Sequence, residues 1–355
     1  MKDSVAKKKV KIVIGTMATV LLLCAVFNVC IDPFFQYHAP WFELPVYLDD
    51  AIYQTAGAAK NLEYTDVLMG TSMTENFDAT WFDEYAGWDT IKLSYSGART
   101  DDLGAILNQV YEGDRQVNHV FMDIMEYQYT TNSFEAYAPR PSYLYDGITL
   151  QDVKYVWNYD VMQRGIQVLY DWHGKRADTM KTAYIWGNEV GFGSQYAFQA
   201  AMDTKFHLKQ TGAKYDGDWE SRKQMCEDNV KNITRYIEMH PETTFIFYVP
   251  PYSMLHWEQK YITDDVEGTI KLFRHLMELY LQYDNVEVHS FLLEKDIITN
   301  LDNYADTAHH TPEINRYIFE CVMNGTNRIT MDNIENHVNE FEEFALHFDY
   351  EAMWR

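Results

Sequence analysis

The chain has 355 residues, of which 47% are hydrophobic and 15% aromatic, enough apolar mass for a sizeable core. Its formal net charge of -24 is unevenly spread: residues 1–31 carry +4, five lysines against Asp3, which leaves -28 on the remainder. So acidic a body excludes a nucleic-acid binder, which needs clustered Lys and Arg against phosphate, and is poorly suited to adsorbing by charge on anionic lipid.

Lys2, Lys7, Lys8, Lys9 and Lys11 precede a run from Ile12 to Ile31 that holds no charged side chain. Twenty residues at about 1.5 Å of helical rise match a hydrocarbon core of roughly 30 Å. Residues 1–11 therefore read as a basic cytoplasmic tail and 12–31 as a transmembrane helix, with the remainder of the chain exported, because lysines ahead of an apolar run stay inside. No small-x-small pair precedes a plausible cut, and no small residue precedes Cys24, so the expectation is an uncleaved single-pass anchor in the cell membrane. Residues 32–60, opening with Asp32, Pro33, Phe34, Phe35, Tyr37, Pro40 and Trp41, suit an extended interfacial collar and linker.

From 61 to 325, short apolar runs alternate with helical patterns. Strands are expected from Val67 to Met69, Thr90 to Tyr95, His119 to Ile124, Thr244 to Val249 and Val286 to Phe291, and helices at about 101–112, 222–239, 264–283 and 312–323. The alternation predicts one α/β domain, a mostly parallel five-stranded sheet covered on both faces. A long connection at about 127–220 carries Tyr127, Tyr129, Tyr137, Tyr143, Tyr145, Tyr155, Trp157, Tyr159 and Trp172. It reads equally as a substrate lid, with aromatic faces for sugar rings or acyl chains, and as a small helical subdomain with an aromatic core.

Residues 326–355 form a C-terminal amphipathic helix. Ile334, Val338, Phe341, Phe344, Ala345 and Phe348 recur at helical intervals, and Asp332 with Glu335 has the spacing of a capping box, so this helix is expected to pack back on the domain. Of four cysteines, Cys24 and Cys30 fall in the anchor. Cys226 and Cys321 are either an exported disulfide or two buried thiols. Neither Cys-x-x-Cys nor His-Glu-x-x-His occurs, so no metal or cofactor is expected.

Two stretches carry chemistry. Gly70-Thr71-Ser72 breaks the first strand and places a serine at the carboxyl end of the sheet, where open α/β folds put their ligand sites. Asp306-Thr307-Ala308-His309, just before Thr311-Pro312 opens the last helix, supplies a carboxylate and an imidazole at a spacing that can aim both into one cleft. Together they have the parts of an activated serine: nucleophile, base and orienting acid. His310 is a second candidate base beside His309.

Gly70-Thr71-Ser72-Met73-Thr74-Glu75-Asn76-Phe77, with Leu93-Ser94-Tyr95-Ser96-Gly97 and the late Asp306-x-x-His309, resembles the sequence blocks of the SGNH (GDSL-like) hydrolases. The likeness is greatest to their membrane-anchored bacterial branch, related to the proteins of teichoic-acid D-alanylation. It implies a flavodoxin-like sandwich, Ser72, His309 and Asp306 as catalytic residues, and Gly97 beside Ser72 as oxyanion donor. Two departures stand out: Thr71 where many members have Asp, and Phe121-Met122-Asp123-Ile124-Met125 where a Gly-x-Asn-Asp is usual after the third strand. Asn76, Arg99 or a residue of the long aromatic connection would be a replacement donor. The implied activity is that of a serine esterase or O-acyltransferase on a cell-envelope polysaccharide or acylated carrier, beside a membrane-bound O-acyltransferase. The alternative is a catalytically silent protein of the same fold that binds glycan or that partner.

Overall fold

The computed structural model describes residues 2–46, 50–113, 115–131, 140–147, 150–174, 190–215 and 217–355. The chain divides into two compact units, residues 1–63 with 140–180, and residues 64–139 with 181–355. In chain order the helices are α1 (Lys2–Ile31), α2 (Ala51–Asn61), α3 (Ser72–Glu75), α4 (Ala79–Ala86), α5 (Thr100–Val110), α6 (Glu126–Thr130), α7 (Val153–Val156) and α8 (Tyr159–Gly174). There follow α9 (Ser194–Thr211), α10 (Trp219–Met239), α11 (Met254–Ile262), α12 (Val266–Tyr280), α13 (Lys295–Ile298), α14 (Pro312–Met323) and α15 (Ile334–His347). The strands are β1 (Asp66–Met69), β2 (Thr90–Lys92), β3 (His119–Asp123), β4 (Thr244–Val249), β5 (Val286–Ser290) and β6 (Arg328–Ile329).

In the first unit, α1 is long and apolar enough to cross a membrane. The segment after it is not extended. Asp32, Phe35, Phe42 and Glu43 all take positive φ, and the chain curls into turns around one buried carboxylate. Asp32 accepts the N–H groups of Gln36, Tyr37 and His38 and the Tyr155 hydroxyl, so the collar is a knot rather than a strap. A helix of small residues closes over it: Thr55, Ala56, Gly57, Ala58 and Ala59 of α2 are all buried. The long aromatic connection is divided: Leu144, Tyr155 and Val161 pack here with Phe34 and Ala56, whereas α9 belongs to the second unit. Tyr137 lies outside the described residues.

The second unit is built on a sheet of six strands in the order β2-β1-β3-β4-β5-β6, parallel except for the last pair. The sixth strand is two residues long, too short for an apolar run to announce it. Side chains alternate across the sheet as strand geometry requires. Leu68, Phe121, Ile246 and Tyr248 point to a face covered by Phe77, Phe82 of α4, and Ile318 and Phe319 of α14. On the other face Phe247 stacks on Tyr280 of α12 at 4.1 Å. Cys226 is buried and Cys321 partly so, and both are free thiols. The tail packs back through Ile334, Val338, Phe341 and Ala345, with Phe341 against Trp257. Its N-cap is Asn333, which accepts the Thr330 N–H, so the Asp332–Glu335 capping box does not form.

Gly57 marks where α2 comes closest to the collar: a Cβ there would lie 2.1 Å from the Phe34 carbonyl oxygen and 2.6 Å from the Phe35 carbonyl carbon. Backbone cannot yield as a side chain does. Gly57→Ala should therefore destabilise the full chain by about 2 kcal/mol in urea unfolding, despite alanine's better helix propensity.

Candidate active site

β1 ends in a turn that only glycine can make. Gly70 sits at φ +145, and a Cβ on it would fall 2.0 Å from Asp123 Oδ1. That carboxylate, at the end of β3 and fully buried, is the clamp of the turn. It accepts the Thr71 N–H at 2.8 Å, the Thr71 hydroxyl at 2.9 Å and the Thr74 hydroxyl at 2.5 Å. Burial pushes the Asp123 carboxyl up, while the bonds from Thr74 and Thr71 pull it back down. Thr71 also caps α3 by accepting the Met73 N–H. Ser72 is thereby held, half-buried, at the first position past the turn.

The late Asp-His stretch is folded into a closed loop. Tyr304 bridges to His310, the Ala305 N–H bonds the His309 carbonyl, and the Thr311 N–H bonds the Asn303 carbonyl. From beyond β4, the Ser253 hydroxyl donates to the Thr307 carbonyl at 2.6 Å. Within this loop Asp306 Oδ1 accepts the N–H groups of Ala308 and His309, and its Oδ2 lies 2.6 Å from His309 Nδ1. Burial would raise the Asp306 carboxyl, but the hydrogen bonds and charge of His309 outweigh it and hold the group below the usual carboxylate range. The other ring nitrogen, His309 Nε2, is 2.7 Å from Ser72 Oγ. A serine hydroxyl, an imidazole and a carboxylate thus stand in one hydrogen-bonded line, with residues 72 and 309 brought together across 237 positions of sequence.

The loop after β2 runs alongside. Leu93 N–H bonds the Leu68 carbonyl and Tyr95 N–H the Gly70 carbonyl, carrying the pairing of β1 and β2 past the strand ends. Tyr95 to Ala98 is a tight turn, closed by the Ala98 N–H on the Tyr95 carbonyl, with Gly97 at φ +76 in the position that favours glycine. Glu75 ties this loop to α3. Its carboxylate accepts both the N–H of Ser96, at 3.0 Å, and its hydroxyl, at 2.6 Å. Burial raises the Glu75 carboxyl, against the Ser96 bonds and the charges of Lys92 and His309. Beneath it the fully buried Lys92 ammonium donates to the Glu75 carbonyl at 2.9 Å.

No protein-family model matches this chain, and no curated protein matches it. A solved structure described as that of a candidate platelet activating factor from Streptococcus pneumonia is similar at 11% identity and a TM-score of 0.39, over 77% of this chain and 90% of that one. A likeness so slight carries no argument.

Of the residues singled out in the sequence, Ser72, His309 and Asp306 are brought into contact, and Gly97 is exposed on the neighbouring loop. Asn76 is sealed in the interior at the end of α3, with no hydrogen bond to either side-chain polar atom among the described residues. Arg99 is the N-cap of α5; its N–H bonds Asp102, and its charge bears on Tyr127, whose hydroxyl is raised chiefly by burial. His310 is fully buried, and that burial pushes it down to about 4. It is a neutral core histidine. Sequence reasoning missed Asp123, Glu75 and Ser253. The signal for the first was present: a carboxylate closing an otherwise apolar central strand, opposite threonines that flank the serine.

Two substitutions test the clamp from opposite sides. Gly70→Ala and Asp123→Ala should each lower unfolding free energy by about 2–4 kcal/mol, the first by collision and strain, the second by stranding three donors. The double variant should cost less than the sum, because removing the carboxylate clears the space the new methyl needs; simple additivity in urea titrations would show the two residues to be uncoupled.

Lys92 makes a pH prediction. Its burial lowers the ammonium to about 7, with Asp78 and Glu75 opposing. Between there and an unfolded value of about 10.4 the folded chain binds fewer protons than the unfolded chain, so stability rises with pH across that window. Relative to Lys92→Met, the wild type should therefore gain unfolding free energy from pH 6.5 to pH 9.5, as read from paired urea titrations; a constant gap would mean that the ammonium is not desolvated.

Proposed function

We propose that this chain is an SGNH-type serine esterase or O-acyltransferase, anchored in the cell membrane with its α/β domain outside, acting through an acyl-serine on a cell-envelope polysaccharide or an acylated carrier. One observation carries the reading: Ser72 Oγ, His309 Nε2, His309 Nδ1 and Asp306 Oδ2 in line, at 2.7 and 2.6 Å. In this reading His309 takes the Ser72 proton as the hydroxyl attacks the acyl carbonyl, and Asp306 fixes the tautomer and balances the imidazolium. The developing oxyanion is met by the N–H groups of Ser72 and Gly97. Collapse of the tetrahedral intermediate expels the donor alcohol, protonated by His309, and leaves the ester on Ser72. Water or a sugar hydroxyl, deprotonated by His309, then releases the acyl group, and this last partner alone separates hydrolysis from transfer. The flavodoxin-like order β2-β1-β3-β4-β5 supports the family, since its ligands bind past the carboxyl ends of the strands. A membrane-bound O-acyltransferase is the partner that the resemblance implies.

A second reading, a catalytically silent binder of glycan or of that partner, is favoured by one feature. Past β3 the chain offers the buried Ile124 and Met125, without the side-chain amide donor usual there.

The test is intact-mass labelling of the full chain in detergent with a fluorophosphonate and with an activated acetyl ester. Wild type should take one adduct, mapping to Ser72. Ser72→Ala should take none, and His309→Ala should react slower by about 10⁴-fold, the scale on which triad residues act. A folded wild type inert to both reagents, small ester included, would favour the silent reading.

A further inference from the structure

The lysines of α1 and its length do not fit with the way its last turns are covered. Lys7, Lys8, Lys9 and Lys11 set the polar boundary near residue 11, so a span of roughly 30 Å at about 1.5 Å per residue must use the helix as far as about Ile31. Yet α1 is exposed at every position from Val5 to Leu23, whereas from Cys24 to Ile31 every residue but Val26 is partly or fully covered by other parts of its own unit. The Trp157 indole N–H donates to the Leu21 carbonyl. The Asn28 amide donates to the carbonyls of Val156, at the end of α7, and of Asn158. Gly165 of α8 lies so close to α1 that a Cβ would sit 2.9 Å from the Phe27 ring. α7 and α8 therefore occupy the same depth as the last turns of the span.

The surface of α8 agrees. At about 100° per residue its positions sort into arcs. Val161, Gly165 and Val168 are buried. Asp160, Arg164, Gln167 and Asp171 make a polar strip, with Arg164 paired to Asp50 and Gln167 bonded to Asp171. The remaining arc, from Met162 and Leu169 through Tyr159, Ile166 and Tyr170, is apolar and aromatic and is interrupted only by Gln163, whose amide donates to the Tyr159 hydroxyl. Ile166 is 54% and Tyr170 73% exposed. Leu169 and Ile31 pack against the same buried pair, Leu44 and Val168, so the edge of this arc meets the last turn of the anchor. Large apolar side chains exposed in one arc mark an interaction surface, and the exposed Tyr159 and Tyr170 within it are of the residue type that favours a membrane interface. The carbonyl of Val156, which lipid could not satisfy, is already capped by Asn28.

We infer that α8 is an interfacial helix seated in the bilayer boundary beside the anchor, its Tyr159–Ile166–Tyr170 arc in contact with lipid. The inference rests on the reading of α1 as a membrane span. Charge does not draw it there; apolar burial does.

The test incorporates photoreactive benzoylphenylalanine singly at Ile166, Tyr170, Leu22 and Phe206 in the full chain, reconstituted in phosphatidylethanolamine–phosphatidylglycerol vesicles, and weighs the products after irradiation. Phe206 is an exposed aromatic of α9 and serves as the control. Lipid adducts at positions 166, 170 and 22 but not at 206 are expected. Adducts at 22 alone would overturn the seating of α8 and leave the anchor intact. A chain–chain adduct from 166 or 170 would assign the arc to a second copy and overturn the inference equally. Absence of lipid at 22 as well would remove the span and the seating together.

Discussion

A single buried carboxylate organises the serine turn. Asp123 comes off the middle of the sheet, where β3 is flanked by β1 and β4, and its two oxygens collect three donors from the first turn of the neighbouring segment. A charged or polar group so deep is tolerable only when its lone pairs are used, and here they are. Because Oδ1 fills the space beside residue 70, that residue has to be glycine; because Thr71 and Thr74 must both reach Asp123, α3 can start only at Ser72. The exposure and direction of Ser72 thus follow from packing beneath it.

Two further buried polar contacts extend the same logic outward. Glu75, one turn along α3, holds Ser96 and so fixes where Gly97 presents its N–H. Ser253, from the segment after β4, holds Thr307 and so fixes the loop that carries Asp306 and His309. The three elements that meet at the serine are tied by hydrogen bonds behind the site rather than by apolar packing alone. Such bonds are directional, and catalytic geometry tolerates errors of well under an ångström.

The parts of this architecture that are legible in the sequence are those governed by local pattern. β4 from Thr244 to Val249 and the last helix of the α/β domain at 312–323 lie where the sequence predicts them, because an unbroken apolar run and a Thr-Pro start are decided within a few residues. Ser72, Asp306 and His309 are legible for a similar reason: each sits in a short motif. The collar is not. Its prolines and aromatics suggest an extended strap, whereas Asp32, isolated in sequence, gathers three backbone donors and Tyr155, 123 positions away. Nothing local signals a contact at that range. The division of the long aromatic connection is hidden for the same cause, since the periodicity of α8 marks an apolar face but not which element the face will meet. The edge strand β6 and the Asn333 cap depend on one or two residues choosing among similar neighbours.

On the acyl-serine reading, the strand-three difference from the resembling family bears on rate rather than on fold. In the resembling family the chain end of the third strand supplies an amide to the oxyanion; here Asp123 has spent that strand end on the clamp, and Ile124 and Met125 beyond it are buried. On the acyl-serine reading the carbonyl oxygen then meets backbone donors from Ser72 and Gly97. Loss of one donor raises an acyl-transfer barrier by about 3 kcal/mol, roughly a hundredfold or more in rate. The aligned serine, imidazole and carboxylate are worth several orders more than that. The expected consequence is slow formation and slow breakdown of the acyl-enzyme, with the partition between water and an acceptor hydroxyl unchanged, because both attack through the same oxyanion. On that reading the choice between transfer and hydrolysis is set by which hydroxyl reaches Ser72, not by the oxyanion donors.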